Sequence, residues 1–197
     1  MKRKIAISTA LVLTIISISI FASYWVNTQP VWVVDSQMDI QALDNLPIKN
    51  KRIIQLIEAN GKKIAPTYND VACTEFVIKV INNFDTLTKK EKNDIRIITN
   101  KELDSLIDYE SPIIRGVQTA LLNGNKGIRV DRIEDVKPGD FVQFWNLYQG
   151  KEYGHCGVVF DIDANKSITL YSSHPLTDGY GKQEYLWPDK LYVVRLK

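Results

Sequence analysis

Cys73 is the residue of this sequence that is best placed to act as a nucleophile. From Asp70 to Phe84, apolar residues recur at helical spacing: Cys73, Phe76, Val77, Val80, Ile81 and Phe84. This pattern predicts an amphipathic helix with Cys73 in its first turn. The free amide groups and the dipole of a helix N-terminus favour the thiolate, which is the attacking form of cysteine. Because Cys73 also belongs to the apolar stripe, the alternative is that it is a small core residue.

His155 supplies the second group that a nucleophilic cysteine needs. It is one of two histidines in the chain, and it begins a strand-like run that follows Gly154. A catalytic cysteine requires an imidazole within hydrogen-bond reach, usually from a distant part of the sequence. A cysteine on a helix N-terminus that faces a histidine on a sheet edge satisfies this requirement. The alternative is a core histidine that only satisfies hydrogen bonds.

Ser172 and His174 are the candidates for a third residue that orients His155 through its other ring nitrogen. They lie on the strand-like run of residues 168–174, in which side chains alternate between faces. Ser172 and His174 therefore share one face, and Ser173 takes the other. His174 is the stronger hydrogen-bond acceptor and is the preferred orienting residue. The alternative is that both residues lie at the exposed end of a strand, without a role in chemistry.

Cys156 follows His155 directly, so strand parity places it on the opposite face, as a buried filler residue. A disulfide between Cys73 and Cys156 is the alternative in an exported protein. Cys73, His155 and His174 lack the short paired spacings of zinc sites. The sequence therefore predicts no metal and no cofactor.

The elements that must position these residues change in type along the chain. Helical patterns come first: residues 49–60, which end at Gly61, the helix at Cys73, a capping box from Thr88 to Glu91, and residues 100–123, interrupted by Pro112. Strand-like runs follow at residues 140–145, 155–162, 167–173 and 191–196. Helices followed by strands predict an α+β fold with a mostly antiparallel sheet.

The first residues of the chain predict export. Lys2, Arg3 and Lys4 precede residues 5–26, which carry no charge and are long enough to cross a bilayer. This segment is either a retained membrane anchor or a cleaved signal peptide. The rest of the protein is then anchored in the inner membrane and faces the periplasm, or is periplasmic or secreted after cleavage. Residues 27–47 are predicted as a linker and residues 48–197 as one domain.

Charge argues against a nucleic-acid partner. The chain has 25 Lys and Arg residues against 23 Asp and Glu residues, and its formal net charge is +2. The excess comes from Lys2, Arg3 and Lys4, so the remainder lacks the basic face that nucleic-acid binding requires. The N-terminal segment predicts contact with a membrane instead.

Four segments, in order, resemble the NlpC-type cell-wall cysteine peptidases and their CHAP relatives, the cysteine- and histidine-dependent amidohydrolases. The matching segments are Ala72-Cys73-Thr74-Glu75-Phe76-Val77, residues 137–145 with the turn Pro138-Gly139-Asp140, residues 154–160 with His155, and the strand that ends in Ser172-Ser173-His174. The resemblance implies a papain-like cysteine peptidase fold, with a helix packed on an antiparallel sheet. It also implies hydrolysis of amide bonds in peptidoglycan peptides through a thioester.

The resemblance implies a role for each matching residue. Cys73 would be the nucleophile and His155 the base. The third position would fall at Ser172 or His174, and the position along the strand favours Ser172. Tyr68 would correspond to a tyrosine that family members carry upstream of the nucleophile, and would bind substrate.

Two classes of function follow from the sequence. The first is a bacterial cell-envelope cysteine amidase or endopeptidase that acts on peptidoglycan peptides. The second is an exported envelope protein without catalytic activity, or a binding module on the same fold, in which Cys73 is structural. Rapid alkylation of Cys73 near neutral pH would distinguish the first class from the second.

Overall fold

The computed structural model describes residues 31–148 and 151–197. The predicted export segment, residues 1–26, lies outside these residues. Among the helices of the described residues, none is both long enough and apolar enough to cross a membrane.

The structure is α+β, as the order of the sequence patterns predicts. Its helices are α1 (Ile40–Asp44), α2 (Ile48–Ile64), α3 (Cys73–Ile81), α4 (Lys89–Ile95), α5 (Leu103–Asp108) and α6 (Gly116–Asn123). Short 3-10 turns occur at Pro112–Arg115, Ile133–Asp135 and Pro175–Thr177. The strands are β1 (Val31–Val33), β2 (Gly127–Val130), β3 (Phe141–Tyr148), β4 (Lys151–Asp163), β5 (Ser167–His174), β6 (Gly179–Leu186) and β7 (Lys190–Leu196).

The seven strands form a single antiparallel sheet in the order β1-β6-β5-β4-β3-β7-β2. One face packs against α2, α3 and α6 in the larger apolar core, which includes Cys156 and Val158 of β4. The other face forms a second apolar cluster within the sheet itself. Val31 and Val130, from the two edge strands, both pack against this second cluster.

The residues predicted as a linker, 27–47, include part of the folded structure. β1 extends the sheet by pairing Val31 with Tyr185 of β6, and α1 follows before α2 begins. The strand has only three residues, which is too short for an alternating pattern to be recognised in the sequence. The prediction of a linker therefore does not hold for these two elements.

Gly61 does not end α2, although its position predicts a helix C-terminus. The helix continues to Ile64. A Cβ atom at position 61 would lie 2.5 Å from the ring of Tyr180 on β6. Glycine at this position therefore allows the helix to approach the sheet closely.

The turn before β3 is held by a buried carboxylate. Asp140 accepts hydrogen bonds from the Lys137 backbone amide at 2.9 Å, from Asn50 Nδ2 at 2.8 Å and from Arg195 Nη2 at 2.7 Å. Gly139 adopts a φ of 89°, a conformation that other residues rarely adopt. The motif thus joins β3 to α2 and β7, and its role is structural.

Candidate active site

Cys73 is the first residue of α3 and therefore lies in its first turn, as predicted, although the helix is shorter than residues 70–84 and ends at Ile81. The residue before it, Ala72, has an extended backbone and makes no side-chain hydrogen bond to the helix. No capping side chain therefore competes for the amide groups of the first turn. Cys73 is partly exposed, whereas Phe76 and Val77 are fully buried. The helix is fixed by its buried face and presents the thiol at its positive end.

His155 is held within a group of aromatic rings on the second face of the sheet. Its ring centroid lies 6.0 Å from that of Phe144, its register partner on β3, and 5.2 Å from that of Tyr185 on β6. The ring of Tyr153 is stacked on it at 6.5 Å. His155 is 4% exposed. This packing restricts the imidazole to one orientation.

The two residues meet near the point where the register pairing of β4 with β5 ends. The register pairs of these strands extend from Asp163 and Ser167 to Val158 and Tyr171. His155 and Ser172 lie just beyond the last pair. Helix α3 packs against both strands, and Cys73 at its N-terminus lies near this point. Cys73 there interacts with the side chains of both His155 and Cys156.

Ser172 makes the hydrogen bond that orients His155. Its Oγ lies 2.7 Å from His155 Nε2 and donates to the carbonyl oxygen of Cys156 at 2.9 Å. A hydroxyl has one proton, so Oγ must accept at its bond with Nε2. Nε2 then carries a proton, and Nδ1 is left to accept the proton of the Cys73 thiol.

The surroundings of Cys73 favour its thiolate. The hydrogen bond from the Cys156 thiol lowers the pKa of Cys73 most strongly, and the charge and hydrogen bond of His155 lower it further. Burial acts in the opposite direction, but the pKa remains well below its ordinary value. The pKa of Cys156 is raised well above its ordinary value, first by its hydrogen bond to Cys73 and then by burial. Of the two thiols, Cys73 is therefore the one whose ionisation the site favours.

Cys156 is both a core residue and a neighbour of the nucleophile. It is fully buried in the larger apolar core, as predicted, and both cysteines are free thiols. Strand parity places the side chains of Cys156 and His155 on opposite faces, yet Cys73 interacts with both. Parity alone does not predict this contact, since it does not show which residues the N-terminus of α3 approaches.

His174 does not occupy the position expected of an orienting residue. Its Nδ1 accepts a hydrogen bond from the Leu176 amide at 3.1 Å, and its Nε2 lies 3.4 Å from the hydroxyl of Tyr153. Its ring meets that of His155 edge-on, at a centroid distance of 5.5 Å. The preference for His174 over Ser172 as the orienting residue is therefore not supported. The nitrogen of His174 that can accept a hydrogen bond, Nδ1, is already bonded to the Leu176 amide in the local 3-10 turn.

Tyr68 and Tyr153 both lie close enough to Cys73 for its charge to raise their pKa, and both are partly exposed. Burial raises the pKa of Tyr68, and the nearby Cys73 thiolate raises it further. The backbone amide of Tyr68 donates to Asp178 at 3.3 Å, which fixes the loop before α3. The sequence patterns do not single out Tyr153 as a site residue, although it lies two residues before His155 and strand parity places it on the same face.

A further feature of the first turn is the ion pair of Glu75 and Arg96. Arg96 Nη2 donates to Glu75 Oε2 at 3.0 Å, and this contact lowers the pKa of the carboxyl group. Glu75 lies two residues after Cys73, where its negative charge would oppose formation of the thiolate. Arg96 offsets that charge.

Within residues 31–148 and 151–197, no group of three or more His, Cys, Asp or Glu side chains is arranged to hold a metal ion. Comparisons of the chain with protein-family models, curated proteins and solved structures give no match. Its functional interpretation therefore depends on the geometry of the site.

Proposed function

We propose that this protein is an exported cysteine amidase or endopeptidase that hydrolyses amide bonds in peptidoglycan peptides. The observation that carries the proposal is the connection of three side chains. Cys73 begins α3 and interacts with His155, and His155 is bonded through Nε2 to Ser172 at 2.7 Å. A nucleophile, a base and a group that orients the base are the parts that acyl transfer through a thiolate requires.

In the first half of the proposed reaction, the Cys73 thiolate attacks the carbonyl carbon of the scissile amide. A bond forms between sulfur and carbon, and the carbonyl electrons move onto oxygen. The uncapped backbone amides at the start of α3 are proposed as the donors to this oxyanion. His155 then gives its Nδ1 proton to the amide nitrogen, the C–N bond breaks, and the amine leaves. The acyl group remains on Cys73 as a thioester.

In the second half, water hydrolyses the thioester. His155 takes a proton from water as the oxygen attacks the carbonyl carbon. The C–S bond breaks, the carboxylic acid is released and Cys73 returns to its thiolate. Ser172 keeps the Nε2 proton in place in both halves, so that Nδ1 is the nitrogen that exchanges protons.

The choice of peptidoglycan peptides is supported by the resemblance to NlpC-type and CHAP enzymes and by the predicted export segment. Tyr68 is proposed to bind the substrate, since it lies beside the thiol and is partly exposed. We place the protein on the inner membrane, facing the periplasm, or in the periplasm or medium after cleavage. A periplasm-dependent reporter fused after residue 40 tests this, and an inactive but intact fusion in the cytosol would contradict it.

The activity is tested by incubating the full chain with purified peptidoglycan and identifying released fragments by mass spectrometry. We expect fragments from the wild type and none from Cys73→Ser. Binding to peptidoglycan without release of fragments would overturn the enzymatic proposal in favour of a binding module.

Alkylation tests the thiolate separately from hydrolysis. We expect iodoacetamide to modify Cys73 rapidly at neutral pH, because its pKa is lowered and it is partly exposed. Cys156 serves as the control within the same chain, since it is fully buried and its pKa is raised. Equal, slow modification of both cysteines would contradict the assignment of Cys73 as the nucleophile.

A further inference from the structure

The pair of Tyr153 and His174, next to the proposed catalytic residues, has no role in the mechanism above. Both residues touch His155: the ring of Tyr153 stacks on it at 6.5 Å, and the ring of His174 meets it edge-on at 5.5 Å. Tyr153 and His174 also contact each other, with 3.4 Å between the tyrosine hydroxyl and Nε2. A polar pair in this position needs an explanation, because His174 does not orient His155.

The protonation of His174 follows from its backbone partner. Nδ1 accepts from the Leu176 amide at 3.1 Å, so it carries no proton. A neutral imidazole must then carry its proton on Nε2. Burial lowers the pKa of His174 to about 4, and the charge of His155 also lowers it, so the ring is neutral near pH 7. His174 is therefore a fixed, uncharged donor.

The direction of the second hydrogen bond follows from the first. Because Nε2 carries the proton, it donates to the hydroxyl oxygen of Tyr153. The hydroxyl proton of Tyr153 is then free to point elsewhere. Among the hydrogen bonds of residues 31–148 and 151–197, no other protein group receives it. Tyr153 is partly exposed.

We infer that the Tyr153 hydroxyl binds a carbonyl oxygen of the peptide substrate, and that His174 is a positioning residue that aims this hydroxyl. The ligand class follows from charge, since an uncharged donor beside an uncharged imidazole suits a neutral carbonyl acceptor. The site is adjacent to the scissile bond, because Tyr153 lies two residues before His155 and on the same strand face. This inference rests on the proposed function for the identity of its ligand.

The variants Tyr153→Phe, His174→Gln and His174→Leu test the inference. Phenylalanine keeps the ring that stacks on His155 and removes only the hydroxyl. Glutamine keeps an N–H donor near the position of Nε2, whereas leucine has none. Tyr109→Phe is the matched control, because Tyr109 is 87% exposed. Thermal melting of each variant establishes that it is folded.

The first readout is the division between KM and kcat on a peptidoglycan peptide. We expect Tyr153→Phe and His174→Leu to raise KM about tenfold, the effect of one neutral hydrogen bond, with kcat nearly unchanged. His174→Gln should restore most of the affinity. The double variant Tyr153→Phe/His174→Leu should match Tyr153→Phe alone, because both changes remove the same contact. An unchanged KM in Tyr153→Phe, or losses that multiply in the double variant, would overturn the inference.

The second readout is calorimetric binding of the same peptide to the full chain with Cys73→Ala, with and without Tyr153→Phe. A drop in affinity with Tyr153→Phe, in a protein whose wild type does not hydrolyse the peptide, would support the inference and overturn the proposed function. Hydrolysis by the wild type, with no change of peptide affinity in Tyr153→Phe, would support the proposed function and overturn the inference. Absence of both binding and hydrolysis would overturn both.

Discussion

The hydroxyl of Ser172 lies 2.7 Å from Nε2 of His155. This contact determines which nitrogen of His155 is free, because the same hydroxyl gives its only proton to the carbonyl oxygen of Cys156. The serine therefore acts as an acceptor toward His155 and keeps a proton on Nε2. A neutral hydroxyl can orient a histidine in this way without a carboxylate, provided that a backbone carbonyl fixes the direction of its own proton.

Ser172→Ala is expected to lower kcat about 10- to 100-fold, with a small change in KM. Without the acceptor, Nε2 is no longer required to carry the proton, and the tautomer with Nδ1 protonated cannot accept the proton of Cys73. Steady-state kinetics on one peptide substrate measure the effect. Thr169→Ala, on the same strand, is the control and should retain full kcat. A larger fall of kcat in His174→Gln than in Ser172→Ala would restore His174 as the orienting residue.

Cys156→Ala is expected to raise the pKa of Cys73 toward its ordinary value. The Cys156 thiol donates the hydrogen bond that lowers this pKa most, and alanine cannot replace it. The rate of Cys73 alkylation as a function of pH measures the change, and its midpoint should move to higher pH. Cys156→Ser retains a donor and should move the midpoint less. Identical midpoints in all three proteins would show that Cys156 has only a packing role.

Local patterns in the sequence predict much of the site. The apolar stripe within residues 70–84 predicts that a helix carries Cys73 in its first turn, because a helix that packs on a sheet must bury one face. Parity predicts that Ser172 and Ser173 face opposite ways, and the structure confirms it: Ser172 bonds to His155, while Ser173 donates to the Val71 carbonyl before α3. These predictions succeed because each depends on a single element.

Contacts between different helices and strands do not follow from patterns within one segment of the sequence. β6 was not predicted, since its sequence contains no β-branched residue. It is stabilised by pairing with β5 on one side and β1 on the other, and it contributes Tyr185 beside His155. The contact of Cys73 with Cys156 depends on how α3 packs across β4 and β5, which no spacing in the chain records. The choice of Ser172 over His174 depends on the turn at Leu176.

Asp140→Ala is expected to lower the free energy of unfolding by about 3 kcal/mol. The substitution leaves Arg195 and the buried amide of Asn50 without their shared acceptor, and it releases the turn that begins β3. Urea denaturation measures the change. Asp163→Ala is the matched control: Asp163 is paired with Lys166 at the surface, and its loss should cost less than about 1 kcal/mol. Equal effects of the two substitutions would contradict a structural role for Asp140.

His174 is expected to make the folded protein less stable at pH 5 than at pH 7. Burial first, and then the charge of His155, lower its pKa to about 4 in the folded state, while the nearby Cys73 thiolate partly opposes this. In the unfolded chain the ring titrates near its ordinary value of 6.5. Between these values the unfolded state binds more protons, so the contribution of His174 to stability is complete above pH 6.5 and is lost as pH falls toward 4.

Melting temperatures at pH 7, 6 and 5 measure the loss. His174→Gln has no titrating ring and should show a smaller decrease, whereas carboxyl groups contribute equally to both proteins. The same decrease in both would mean that the pKa of His174 is not lowered in the folded state, and would contradict this prediction.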